Sequence, residues 1–243
     1  MYWQDIIQKT FNAFGFEIHK SGRSGIYSRC FPYPYSTYSP WFGKKFQKRY
    51  AKIKDHTIVK EDRCYILYQF ASHCFHLPGD FAECGVYKGG TAHLIALLLK
   101  EKGPGEKRLF LFDTFSGMPE IADEDPSHHK TGDFGDVTLH SVKNYLRDYS
   151  FIEYYPGVVP ETFKNLKKKT FAFVHIDIDL YQSAKDCCAF FYDRISKGGI
   201  LLFDDYGFAK YEQSERKAVD EFFHDKPEQP ICLRTGQCFI IKR

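Results

Sequence analysis

Two apolar runs in this chain end in paired carboxylates: Phe171-Ala-Phe-Val-His-Ile-Asp-Ile-Asp-Leu-Tyr181 and Gly198-Gly-Ile-Leu-Leu-Phe-Asp-Asp-Tyr206. If the two runs are neighbouring strands, Asp177, Asp179, Asp204 and Asp205 meet at one sheet edge, with period-two geometry placing Asp177 and Asp179 on the same side. Carboxylates that close repel one another at neutral pH and require a counter-charge. Oxygen donors without His or Cys among them suit a hard divalent ion such as Mg²⁺ or Ca²⁺. The plainer alternative is that helix N-termini and solvent hold the groups apart.

Two earlier runs carry a second kind of chemistry. Asp80 to Cys84 runs into Glu83-Cys-Gly-Val-Tyr-Lys-Gly-Gly-Thr91, where glycines let the backbone pass close to a nucleotide-like ligand before a helix starts. The spacing is neither the dinucleotide G-x-G-x-x-G nor a phosphate loop, so a tight strand-to-helix turn is the competing reading. The next run, Arg108 to Phe112, leads into Asp113, a carboxylate able to accept both hydroxyls of a ribose. That arrangement serves adenosine cofactors generally, NAD and S-adenosylmethionine among them.

These residues need a frame that brings strand ends together. From Glu61 onward, short apolar runs alternate with helical patterns of about 10 to 15 residues, the signature of a parallel sheet with helices on both faces. Strands are predicted at Asp80 to Cys84, Arg108 to Phe112, Ile152 to Tyr155, Phe171 to Ile176 and Ile200 to Phe203. Helices are predicted through His73, from Gly89 to Lys100, Leu139 to Tyr149, Ser183 to Ile195 and Gln213 to His224, with a long polar loop from Thr114 to Val137. Pro230 to Arg234 and Gln237 to Ile241 read as a terminal hairpin that adds one antiparallel strand. The expected fold class is α/β, a single Rossmann-like, doubly wound sheet, in which ligands bind beyond the carboxyl ends of the strands.

The 243 residues, 43% of them hydrophobic, are enough for one core, and residues 61–243 are assigned to it. Residues 1–60, rich in Tyr, Phe, Gly and Pro, form an N-terminal extension expected to cover an acceptor or to contact a second copy, making a homo-oligomer. Its basic stretch, Lys44 to Lys54, has six Lys or Arg in eleven positions and reads as a solvated helix face, with an acidic or phosphate partner as the alternative. A net charge of +3 argues against an obligate nucleic-acid binder. No run approaches the roughly 18 apolar residues of a membrane span and no signal peptide is evident, so a soluble, cytoplasmic protein is expected. The eight cysteines contain no C-x-x-C pair and read as reduced, mostly buried thiols.

Glu83-Cys-Gly-Val-Tyr-Lys-Gly-Gly-Thr91, Phe112-Asp-Thr-Phe-Ser-Gly-Met-Pro-Glu120, His175-Ile-Asp-Ile-Asp-Leu-Tyr181 and Gly198-Gly-Ile-Leu-Leu-Phe-Asp-Asp-Tyr206 together resemble the macrocin O-methyltransferase (TylF/MycF-type) family. The resemblance runs from about Glu61 to the C-terminus. It implies a class I methyltransferase that uses S-adenosylmethionine and Mg²⁺ to methylate sugar hydroxyls of glycosides. It further implies that Glu83, Gly85, Tyr87, Gly89 and Thr91 form the cofactor loop, and that Asp113 holds the ribose with Thr114, Phe115 and Ser116 beside the adenine. Asp177, Asp204 and Asp205 match the metal triad and Asp179 a position near the cofactor's amino group, the choice between Asp177 and Asp179 as metal ligand staying open. Asp133, Phe134, Gly135 and Asp136 resemble the lid over the acceptor.

Methyl transfer to an aliphatic hydroxyl needs in-line attack on the sulfonium methyl and a destination for the proton. Asp177, His140 and Asp136 are the catalytic candidates. His175 reads chiefly as a core histidine, His128 and His129 as surface residues, and Lys167 to Lys169 as a solvated helix end. A catechol- or caffeoyl-type O-methyltransferase acting on a phenol shares the cofactor and metal. An NAD-linked oxidoreductase would use Asp113 but not the acidic cluster, and a non-catalytic cofactor-binding protein would not need it either. The acceptor, a small molecule or a glycan, is not identified by these residues.

Overall fold

The computed structural model describes residues 27–29, 36–103, 105, 107–164 and 166–243, in two compact units, 1–48 and 49–243. In the first unit, β1 (Tyr27–Arg29) pairs antiparallel with β2 (Ser36–Tyr38). A turn at Pro40–Phe42 follows, and the Gln47 side chain donates to the Trp41 carbonyl at 2.7 Å. Most of the aromatic extension, and with it the expected acceptor cover and subunit contact, lies outside the described residues. Helix α1 (Lys44–Tyr50) carries the start of the basic stretch, whose lysines 44, 45, 48, 52 and 54 are exposed while Phe46 and Ile53 are buried. The stretch is thus built as a solvated face.

The second unit is a seven-stranded sheet. Its strands are β3 (Asp80–Cys84), β4 (Leu109–Asp113), β5 (Ile152–Pro156), β6 (Phe171–Ile176), β7 (Ile195–Phe203), β8 (Ile231–Cys232) and β9 (Cys238–Ile241), in the spatial order β5-β4-β3-β6-β7-β9-β8. The first five are parallel, as expected. Every residue of β6 is buried because helices cover both faces of a central parallel strand, which is why its sequence is apolar at every position but His175. The terminal hairpin adds two antiparallel strands rather than one: β9 pairs with β7, and β8 pairs with β9. With only two residues, β8 leaves a short open edge.

Helices α2 (Glu61–Cys74), α3 (Gly90–Lys102), α4 (Leu139–Tyr145), α5 (Tyr181–Tyr192) and α6 (Lys217–Phe223) connect the strands. Right-handed crossovers run outward in opposite directions from β3 and β6, so α3 and α5 fall on opposite faces, α3 packing with α2 and α5 with α6. Boundaries differ from the sequence expectation where distant groups act. Helix α5 starts two residues early because Asp125, 56 positions away, accepts the Tyr181 amide at 2.8 Å. Strand β7 begins five residues early: Gly198 and Gly199 form an irregularity inside it rather than its entrance, Phe171 pairing with Ile195 but Phe173 with Ile200. Helix α4 stops at Tyr145 instead of Tyr149, and the following turn delivers Tyr149 to His93.

Among the described cysteines, Cys64, Cys74, Cys84, Cys187, Cys188 and Cys238 are buried free thiols and Cys232 is exposed. No helix among the described residues is long and apolar enough to cross a membrane.

Candidate functional site

The strand order reverses between β3 and β6, and the carboxyl ends of β3, β4 and β6 open there into a cleft, the usual place of a ligand in such a sheet. Gly85, Val86 and Tyr87 form one wall, Asp113 and Thr114 a second, and Asp177, Ile178 and Asp179 the floor. His56 to Val59, Met118 and Phe134 border the remainder.

The glycine turn is dictated by crowding. Gly85 has φ +84°, and a Cβ there would stand 1.7 Å from the Asp177 carbonyl oxygen, so only glycine lets β3 and β6 end this close together. Gly89, at φ +85°, caps the start of α3. A Cβ on Gly90 would come within 2.6 Å of the His56 carbonyl oxygen, so the 54–57 segment crosses tightly over the helix start. That segment is clasped from the side: His56 stacks on Tyr145 at 3.7 Å between centroids. His93 in turn bonds Tyr145 Oη at 2.7 Å and Tyr149 Oη at 2.9 Å.

Asp113 stands at the tip of β4 as expected, but its carboxylate is already at work. Oδ2 accepts the amides of Val86 (2.7 Å) and Tyr87 (2.9 Å), and Oδ1 accepts that of Phe115 (2.6 Å). A carboxylate offers about four acceptor sites, which leaves room for roughly one ribose hydroxyl. The residue therefore braces the glycine turn as much as it faces a ligand.

The acidic cluster is assembled by a turn rather than by strand periodicity. Strand β6 ends at Ile176, the Asp177 amide bonds the Cys84 carbonyl at 2.8 Å, and Asp179 adopts φ +62°, which folds its carboxyl back toward Asp205. Acceptor atoms of Asp177, Asp179 and Asp205 lie within 4.8 Å of one another, as do those of His175, Asp177 and Asp204. Burial, with Asp204 and Asp205 adjacent, pushes Asp177 well above the ordinary carboxylate range, and burial next to Asp205 does the same to Asp179. Glu215, whose Oε2 accepts the Asp205 amide at 2.8 Å, is raised by burial and by Asp205 and leaves Oε1 buried without a hydrogen bond. This part of the cluster is short of positive charge, and its all-oxygen donor set could hold a hard divalent cation.

Asp204 is in a different position. It is fully buried, and Oδ1 accepts from Gln237 Nε2 (2.7 Å) and faces His175 Nε2 (3.4 Å) while Oδ2 pairs with Arg63. Arg63 also reaches Asp205 Oδ1 at 3.2 Å and lies over the Phe208 ring. Although burial opposes ionisation, His175 and Arg63 hold the Asp204 carboxyl below its usual value. His175 bonds Glu83 Oε1 through Nδ1 at 2.8 Å. Burial disfavours its charged form, yet Asp204 and Glu83 outweigh that and hold the imidazole well above its ordinary pKa.

Of the sequence-derived site residues, Gly85, Tyr87, Thr91, Asp113, Thr114, Asp177 and Asp179 line the cleft. Asp204 and Asp205 are buried beside Asp177. Glu83 sits behind the wall on His175, Gly89 is at the helix start, Phe115 is buried with φ +52°, and Ser116 is exposed. His140 is exposed on α4 and outside the cleft lining. Asp136 is exposed, paired with Lys88 at 2.6 Å and near Tyr87 Oη at 3.3 Å, and these partners lower its pKa. Sequence reasoning missed Arg63, Gln237, Glu215 and Tyr211, none of which stands in a motif. It also read His129 as a surface residue, whereas its side chain is 7% exposed, with Nε2 3.2 Å from Tyr211 Oη and 3.9 Å from Asp179 Oδ2. His128 is exposed.

A mostly parallel sheet closed by antiparallel strands, with a glycine turn after one strand and a carboxylate at the tip of its neighbour, defines the class I methyltransferase fold. The likeness extends to solved structures: the O-methyltransferase NovP superposes with a TM-score of 0.68 at 23% identity, covering 77% of this chain and 82% of that one. The chain belongs to the macrocin O-methyltransferase (TylF) family, which it matches over residues 54–231. It is 29% identical over 140 residues to the 8-demethyl-8-(2,3-dimethoxy-alpha-L-rhamnosyl)-tetracenomycin-C 4'-O-methyltransferase of Streptomyces olivaceus, covering 54% of each. It is 27% identical over 157 residues to the demethyldecarbamoylnovobiocin O-methyltransferase of Streptomyces niveus, covering 60% of this chain and 59% of that one. The matches thus span little more than half the length of these two relatives.

Proposed function

We propose that this chain is an S-adenosylmethionine-dependent O-methyltransferase whose acceptor is a hydroxyl of a sugar in a glycoside or glycan. The observation that carries the reading is that one cleft joins the two halves of the chemistry. Its wall is the glycine turn braced by Asp113, suited to an adenosine cofactor, and its floor is Asp177 and Asp179, edge of the acidic cluster. Family membership and the rhamnosyl group in the name of the Streptomyces olivaceus relative support the sugar acceptor.

In the reaction the acceptor oxygen bonds to the methyl carbon as the carbon–sulfur bond breaks, the electron pair going to sulfur and the proton leaving the oxygen. Holding the oxygen close to the methyl, in line with sulfur, supplies much of the acceleration, since the sulfonium is already activated. Of the three catalytic candidates only Asp177 lines the cleft, and it would act there through the cation it helps to hold. Asp177, Asp204 and Asp205, with Asp179 beside them, would hold Mg²⁺, which would supply charge stabilisation to the acceptor oxygen. Asp204 would engage it beside Arg63, the cluster's own counter-cation.

The test is calorimetric titration of S-adenosylhomocysteine, with NAD as control, in Mg²⁺ and in EDTA, followed by transfer of labelled methyl from S-adenosylmethionine to sugars and phenols. Micromolar S-adenosylhomocysteine binding without NAD binding, and label in sugars, are expected. Label confined to phenols would replace the sugar acceptor by a catechol-type one, and absence of S-adenosylhomocysteine binding would overturn the transferase reading.

A further inference from the structure

The segment from Lys52 to Val59, just before α2, runs as a strap along one side of the cleft, where His56, Thr57, Ile58 and Val59 form part of the lining. Two contacts fix where it lies. At the start of α3, a Cβ on Gly90 would stand 2.6 Å from the His56 carbonyl oxygen and 2.7 Å from Thr57 Cβ, and Gly90 is helical, so glycine is needed there for the strap and not for the backbone angle. On the α4 side, a chain of hydrogen bonds reaches the strap: Tyr149 Oη to His93 Nε2 at 2.9 Å, His93 Nδ1 to Tyr145 Oη at 2.7 Å, and Tyr145 Oη to the Lys52 carbonyl at 3.2 Å.

The protons of this chain can be placed. The Lys52 carbonyl only accepts, so Tyr145 spends its one hydroxyl proton there. Tyr145 Oη must then accept from His93 Nδ1–H, and Nε2 of the neutral ring accepts from the Tyr149 hydroxyl. Burial, with Lys52 and His56 nearby, holds His93 down to about 4, so the ring is neutral at neutral pH. The Tyr145 ring also stacks on His56 at 3.7 Å, and its Cδ1 is 3.4 Å from where a Cβ on Gly89 would stand. Strap, helix start and α4 therefore meet on Tyr145, whereas Tyr149 bonds only the far side of His93.

We propose that Tyr145 is a positioning residue for the cofactor: with His93 oriented behind it, its hydroxyl holds the strap across the start of α3, and cofactor affinity depends on that hold. The inference rests on the cofactor reading above. Tyr145, His93 and Tyr149 are all outside the cleft lining, so they act through the four strap residues that are in it. A wall fixed before the ligand arrives costs nothing on binding. A wall that the ligand must order takes the conformational entropy of its residues from the affinity.

The experiment titrates the full chain with S-adenosylhomocysteine, as the parent and as Tyr145→Phe, Tyr149→Phe, Gly90→Ala and the Tyr145→Phe/Gly90→Ala double variant, with thermal unfolding of each. Tyr145→Phe keeps a ring to stack on His56 and removes only the hydroxyl. It should weaken S-adenosylhomocysteine binding by about 3- to 10-fold, the worth of one net hydrogen bond. Tyr149→Phe takes the other bond from His93 and should lower the melting temperature as well, yet change the affinity by less than about twofold, because the link to Lys52 survives. Gly90→Ala pushes on the strap from the opposite side and should also weaken binding. The double variant should bind no more than about twofold more weakly than the weaker single one, since both changes release the same strap. Losses of affinity that follow the melting temperature equally in the two tyrosine variants would show a purely structural cluster and overturn the proposal. Unchanged affinity in Tyr145→Phe, or losses that multiply in the double variant, would overturn it too. Absence of S-adenosylhomocysteine binding by the parent overturns the cofactor reading and the proposal with it. If Gly90→Ala does not fold, the two tyrosine variants decide.

Discussion

Replacing Arg63 by Ala removes the guanidinium from a site where it is 15% exposed against an Asp204 side chain that is 0% exposed. Truncating one partner of a buried ion pair generally costs about 3–5 kcal/mol, because the other charge is left without compensation. Asp204 keeps Gln237 at 2.7 Å and His175 at 3.4 Å, so the lower end applies. At about 3 kcal/mol, and with about 2–4 °C per kcal/mol for a domain of this size, the melting temperature should fall by roughly 6–12 °C in EDTA at neutral pH. Two further readings separate charge from packing. Arg63→Lys should recover part of the loss, and Mg²⁺ should stabilise Arg63→Ala more than the parent, since the variant lacks the cluster's own cation. The Asp204 carboxyl is held below its usual value in the parent, so its contribution to stability is present above about pH 4 and is lost as pH falls through the folded value. In the variant the orphaned carboxyl takes up its proton at higher pH, and the deficit should shrink on acidification. Thermal unfolding followed by circular dichroism from pH 4 to 8 measures all of this. A variant as stable as the parent in EDTA, or a deficit that grows as pH falls, would refute the assignment of Arg63 as counter-cation.

Asp113→Ala frees three backbone amides at 2.6 to 2.9 Å and should weaken S-adenosylhomocysteine binding by roughly 10- to 100-fold, given about 1.5–3 kcal/mol for a hydrogen bond to a charged group. Unchanged affinity by titration would show that the brace is dispensable. Gly85→Ala drives a methyl to 1.7 Å from the Asp177 carbonyl oxygen and should cost about 4 kcal/mol or more; a melting temperature equal to the parent's would refute the close approach of β3 and β6. Burial, with Lys52 and His56 nearby, pulls His93 down to about 4 against about 6.5 in the unfolded chain. The unfolded state therefore binds the proton first, and stability is lost as pH drops from about 6.5 toward 4. His93→Gln, less stable than the parent at pH 7.5 for want of its two tyrosine bonds, should lose less on going to pH 5, and a constant gap in melting temperature would remove the assignment.

The strands that build the cleft were legible because central parallel strands are mostly apolar, so β3, β4 and β6, interrupted only by Glu83 and His175, stand out as runs ending in polar residues. Their carboxyl-end residues Gly85, Asp113 and Asp177 could be read for the same reason: each follows directly from its strand and shares the chemistry of the edge. Asp179 was expected at the right place for a different cause, since strand alternation was assumed and the chain instead turns through a left-handed residue. His129 and Tyr211 were not legible, because one sits in a loop and the other ends a short 3₁₀ helix outside every motif, and they meet only when the 114–137 loop folds back, the Met118 amide bonding the Asp133 carbonyl at 2.8 Å.

The sequence by itself determined the order of strands and helices, the reduced cysteines of the core and the four motifs that carry family membership, since each of these depends on neighbours a few residues apart. Only the tertiary structure decided how the acidic cluster is balanced. Arg63 is 141 residues from Asp204, Gln237 is 33 residues from it, and Glu83 is 92 residues from His175. A buried charge is stabilised by whatever opposite charge or hydrogen bond lies within a few ångströms, and that distance is set by packing of strands and helices, to which separation along the chain is no guide.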